Sequence, residues 1–176
     1  MDTKIKSGEL MTGMFPDRES ADRAYKAIQL RGYGSNEIYL IMSEDIRNSH
    51  FSSDGHTTGI GNKALEGTGT GSAIGLTVGA IAAAIAAVGA TIVLPGLGLV
   101  LAGPLAAAAA GAGAGGLAGG IIGALVGAGI PKERAIIFEK GVKDGNIVIG
   151  VRPKNETDAG YIENEWIKNK VLEIHH

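Results

Sequence analysis

The 176 residues contain no cysteine, which excludes disulfides, thiolate catalysis and Cys-ligated metals while leaving the redox compartment open. There is no excess of basic charge either. Sixteen Lys and Arg stand against 18 Asp and Glu, so the chain lacks the basic face that phosphate backbones select, and nucleic acid is not an expected partner. Met1 to Lys6 is polar and charged, without the apolar core of a signal peptide, which predicts a cytoplasmic protein. The largest absence is internal. From Gly67 to Ile130, 64 consecutive residues carry no charge, and 57 of them are Gly, Ala, Leu, Ile or Val.

Glycine recurs every fourth position at Gly67, Gly71, Gly75 and Gly79, and again at Gly111, Gly115, Gly119, Gly123 and Gly127. In a helix that spacing forms one smooth stripe, against which another backbone can pack closely. The stretch therefore reads as a glycine-zipper helical hairpin. Its reversal is expected at Leu94-Pro95-Gly96-Leu97-Gly98, with Pro104 opening the second arm, so that the arms cover 67–93 and 104–129.

The flanking sequence predicts a small α+β domain. Leu10 to Phe15 is β-prone, Asp17 caps a helix carrying Ala21, Ala24, Tyr25 and Ile28 on one face, and Gly32 stops it. Glu37 to Met42 is the next strand, followed by a short helix from Ser43 and a polar linker over 48–66. Beyond the insert, Pro131 suits a first helical position, and Ala135, Ile136, Phe138 and Val142 form an apolar face. Asp144-Gly145-Asn146 turns into a strand over Ile147 to Val151, and Asn155 caps a last helix with Ala159, Ile162 and Trp166 inward. The expected organisation is thus 9–47 and 131–170 as two halves of a ferredoxin-like βαβ…αβα domain, interrupted by the linker and by the helical hairpin over 67–130.

Both ends of the insert must return to one domain, so an even number of helical passes is required. Each arm spans roughly 40 Å, enough for a bilayer core of ~30 Å. Side chains argue against a simple crossing. Seven large aliphatics face ten glycines between Gly103 and Ile130, setting about −3 kcal/mol of insertion energy against about +10 kcal/mol of helix propensity. The tip also lacks Lys, Arg, Trp and Tyr. The insert is expected to meet other helices, in lipid or in a homo-oligomer.

The insert and its exit, Leu94 to Gly98, Ala102-Gly103-Pro104-Leu105-Ala106, Gly123 to Pro131, Phe138-Glu139-Lys140-Gly141 and Ile147 to Val151, together with Phe15-Pro16-Asp17-Arg18-Glu19-Ser20-Ala21 and Arg31-Gly32-Tyr33, carry a resemblance. The chain resembles the bacterial general stress proteins, heat- or low-temperature-induced, with a glycine-zipper insert. That resemblance implies a stress-associated protein and supplies no catalytic residues.

No other motif outweighs its simpler explanation. Gly67-Thr68-Gly69-Thr70-Gly71 lacks the glycine at position 74 and the Lys-Ser/Thr that a phosphate loop needs. His50, Asp54 and His56 lack a fourth metal ligand. Glu156, Asp158, Glu163 and Glu165 read as the solvated face of the last helix, Trp166 as core, and His175 and His176 as compatible with an appended tag. The expectation is a non-enzymatic, cofactor-free stress protein that self-associates and associates with membrane through the insert. A soluble oligomer with bundled hairpins, and a membrane-anchored ligand sensor or enzyme, are the alternatives.

Overall fold

The computed structural model of the chain describes residues 8–51, 80–88, 91–94, 98–104, 106, 120–127 and 130–176. Its centre is a six-stranded antiparallel sheet, in the order β3-β4-β2-β5-β1-β6. The strands are β1 (Met11–Phe15), β2 (Ile38–Ser43), β3 (Thr91–Leu94), β4 (Leu99–Ala102), β5 (Ile147–Val151) and β6 (Glu173–His175). The helices are α1 (Arg18–Leu30), α2 (Glu44–His50), α3 (Ala80–Val88), α4 (Gly120–Gly127), α5 (Lys132–Lys143) and α6 (Glu156–Lys168).

The sheet is covered on both faces, and alternation along each strand divides its side chains between two cores. Met11, Phe15, Ile38, Leu40, Met42, Val100, Ala102, Ile147 and Ile149 pack under α1, α3 and α6. Leu10, Met14, Ile41, Leu99, Leu101 and Val148 pack under α4 and α5. Because neither face is wet, β1 and β5 are buried at every position rather than at alternate ones, Thr12 included. Trp166 anchors the first core, fully buried, with its ring edge-on to Phe15 at 5.7 Å and lying over Gly13, where a Cβ would not fit.

Local signals place the helices. Asp17 accepts a hydrogen bond from the Ser20 backbone at 2.7 Å, Asn155 accepts one from the Asp158 backbone at 2.8 Å, and Ser43 accepts one from the Ile46 backbone at 3.2 Å. Pro131 sits one residue earlier than expected, at the cap position before Lys132. The Ser20 backbone N–H holds the Asp17 carboxyl below its ordinary value of 3.8; partial burial opposes this, and the Ser20 hydroxyl adds to it. A lowered folded pKa means the contribution is complete above the unfolded value and lost as pH falls through the folded one. Asp17→Ala is therefore expected to cost about 1 kcal/mol at neutral pH. The difference from wild type should shrink in urea melts run below pH 3.8.

Four expectations are corrected. The reversal near Gly98 joins strands, not helices: Thr91 to Leu94 pairs antiparallel with Leu99 to Ala102, and β4 pairs with β2. An all-apolar run carries no period that separates helix from strand, and the open edge of β2 needs backbone partners that only a strand supplies. Of the expected arms over 67–93 and 104–129, the described residues include α3 and α4, with Pro104 and Ala106 also at helical positions; β3 takes Thr91 to Val93 from the end of the first arm, and β4 occupies the expected reversal between them. Secondly, the last helix does not end the fold. The chain turns at Asn169 and Lys170 and adds β6 beside β1. Thirdly, Ile136 does not face the core. The linker, too, starts later than position 48, since α2 runs to His50 and Phe51 is buried, with the Arg18 guanidinium 5.2 Å from its ring centre.

Candidate interaction surface

Besides the β2–β4 pairing and the contact of α3 with α1, the insert meets the rest of the chain in the outer layer of α4 and α5. Leu125 and Ile130 are buried and seat α4 on Leu10, Ile41 and Val148, and the Ile130 N–H closes the helix end on the Leu125 carbonyl at 2.9 Å. On α5, Ala135, Phe138, Gly141 and Val142 turn inward, with Gly141 leaving room for the Met14 sulfur. The residues between them turn out. Val126 is 44% exposed, Ile136 48% and Ile137 41%, and Gly127 opens onto empty space. Two adjacent β-branched residues exposed on one helix and an exposed Val on the helix packed against it give an apolar surface that the described residues leave uncovered. Charge surrounds it unevenly, because α5 carries Lys132, Arg134, Lys140 and Lys143 against Glu133 and Glu139, while α4 carries none. Of these, Lys143 pairs with Glu139 at 3.1 Å and Arg134 pairs with Glu173 of β6.

Of the zipper glycines, Gly123 and Gly127 lie on α4, whereas Gly67, Gly71, Gly75, Gly79, Gly111, Gly115 and Gly119 fall outside the described residues. Of the turn residues, Pro95 and Gly96 also fall outside. Gly98 is left-handed at φ +62° and its carbonyl accepts the Glu44 N–H at 2.7 Å, which ties the hairpin to the start of α2. Pro104 stands at a helical position directly after Gly103.

Elsewhere, polar side chains join elements rather than frame a reaction centre. The Tyr33 hydroxyl donates to Asp158 at 3.0 Å and accepts from the Lys154 N–H at 2.7 Å, clasping the α1–β2 connection to the start of α6. Burial raises the Tyr33 pKa, the Lys154 N–H opposes this, and Asp158 raises it further. Glu165 pairs with Lys168 at 2.7 Å and Glu163 with His176 at 3.2 Å, so with Asp158 these acids, expected to be merely solvated, are tied to partners. An open cleft of about 350 Å³ lies among Glu9, Pro131, Arg152, His175 and His176. Within it Arg152 donates to the Tyr39 hydroxyl and the Gly8 carbonyl, and burial followed by the nearby Arg134 pushes the His175 pKa down. His50 is exposed, while Asp54 and His56 are not among the described residues; within those described, no three His, Cys, Asp or Glu come together as a metal site.

Sequence reasoning missed Val126, Ile136 and Ile137 as surface residues. One signal was present: Ala135, Ile136, Ile137 and Phe138 are consecutive, and a helix cannot bury four adjacent side chains on one stripe. Comparison of the chain with protein-family models, curated proteins and solved structures finds no match.

Proposed function

We propose that this is a non-enzymatic, stress-associated cytoplasmic protein that self-associates and rests against membranes through the outer face of its apolar insert. The observation that carries the reading is the uncovered patch of Val126, Ile136 and Ile137, built by the end of the insert and the helix that follows it. Exposed aliphatics beside Lys132 and Lys140 suit an interface of acyl chains and anionic headgroups. Resting is preferred to crossing, since among the described residues no helix is long and apolar enough to cross a membrane. The domain beneath is read as ferredoxin-like. Support for this comes from the order β2-β5-β1-β6, in which α1 links β1 to β2 across β5 and α6 links β5 to β6 across β1.

Flotation with vesicles of phosphatidylcholine and phosphatidylglycerol tests the reading. The full chain should rise with the vesicles, and a double variant Ile136→Asp, Ile137→Asp should stay at the bottom with an unchanged thermal melt. A wild-type chain that stays at the bottom as an oligomer would favour self-association in solution alone. One that stays there as a monomer would sink both parts.

A further inference from the structure

The two edges of the sheet are protected differently. β6 is three residues long, and its Glu173 is ion-paired with Arg134 across to α5, so charge and brevity discourage any further strand. The opposite edge, β3, is Thr-Ile-Val-Leu, with neither charge nor proline. Among the described residues no strand pairs with its outer side, although a strand edge presents a row of N–H and C=O groups that require partners. β3 is also firmly placed. It is hydrogen-bonded along its length to β4, and α3, two residues before it, is fastened through buried Ile81 and Ala84 and by the Asp22 carboxylate of α1, which accepts the Ile81 N–H at 3.0 Å.

We propose that the β3 edge is the joint between two copies of this chain, which pair β3 to β3 antiparallel about a two-fold axis and continue the sheet from one subunit into the other. The inference deepens the self-association part of the function proposed above and rests on it. A second copy fits the edge for three reasons. An antiparallel strand related to itself by a two-fold axis always finds a matching row of donors and acceptors. Thr91 to Leu94 brings no charge to the axis, so identical strands do not repel. The helix leading into the strand consists of Ala, Ile and Val alone, with Ala83 exposed, which lets the helical layers of two copies approach as the sheets join.

The absence of native cysteine makes the test clean. Single variants Thr91→Cys, Ile92→Cys, Val93→Cys and Leu94→Cys of the full chain are oxidised gently at low concentration, with Ile174→Cys on β6 as control. Residues facing each other across an antiparallel pair lie about 4.5–5.5 Å apart at Cα, within disulfide reach, and only positions beside the two-fold axis face their own copies. The expected result is a band of doubled mass from one or two β3 positions and none from Ile174→Cys. Wild-type sedimentation separates the failures. A multimeric protein whose β3 variants cross-link no more than the control overturns the strand joint alone, and a monomeric protein overturns self-association with it.

Discussion

Deleting residues 67–130 is expected to abolish cooperative folding rather than release a soluble small domain. The excised stretch contains β4, whose Leu99, Val100, Leu101 and Ala102 are all buried and whose backbone completes β2. It also contains Leu125 and Ile130, which cover Leu10, Ile41 and Val148 on the second face of the sheet. Burying one such aliphatic side chain is worth roughly 1.5–3 kcal/mol, so Leu99, Val100, Leu101 and Leu125 together supply about 6–12 kcal/mol. That is of the same order as the whole stability of a domain, about 5–15 kcal/mol. The remnant would also expose the naked edge of β2 and half a sheet face, a combination that favours aggregation. Urea denaturation followed by circular dichroism decides the matter: a sigmoidal transition of the deletion variant near that of the full chain would show that the insert is an appendage.

The second large effect is expected at Gly103, where the chain leaves β4. Its backbone is left-handed at φ +77°, and a Cβ there would collide with the Ile38 carbonyl oxygen, a main-chain atom of β2 that cannot rotate away. Gly103→Ala combines the left-handed cost of about 1–2 kcal/mol with backbone displacement, for a total above roughly 3 kcal/mol. At about 2–4 °C per kcal/mol for a chain of this size, the melting temperature should fall by some 6–12 °C. Gly98→Ala is the control. That glycine is left-handed as well, at φ +62°, but nothing lies within 4 Å of the added methyl, so only the conformational cost of about 1–2 kcal/mol should appear. Equal melts for the two variants would mean that the approach of Gly103 to β2 is not a constraint.

Both predictions concern the insert, which was the part of the chain most conspicuous in sequence and least legible in structure. Where neighbouring residues decide the outcome, the sequence was a sufficient guide. Asp17, Ser43 and Asn155 cap helices because their side chains reach a backbone N–H three residues on, and Gly32 and Gly145 turn the chain because their positive φ suits glycine. Trp166 is core because Ala159 and Ile162 place it on the same stripe. The exposed patch was half legible, in the four adjacent apolar residues from Ala135 to Phe138, but which two would turn outward depended on how α5 settled over Met14 and Val148.

The sequence by itself determined an α+β chain with capped helices, β-prone runs at Met11–Phe15 and Ile147–Val151, and a central stretch too apolar to remain exposed. Only the tertiary structure decided what that stretch becomes. Within Thr91 to Ala102 nearly every residue is apolar, so hydrophobic periodicity, which separates helix from strand by the spacing of polar positions, has nothing to measure. The choice fell to hydrogen bonding at a distance. β2 offered an unpaired edge about sixty residues earlier in the chain, and pairing it with β4 satisfied backbone groups on both strands while burying both faces of the new one.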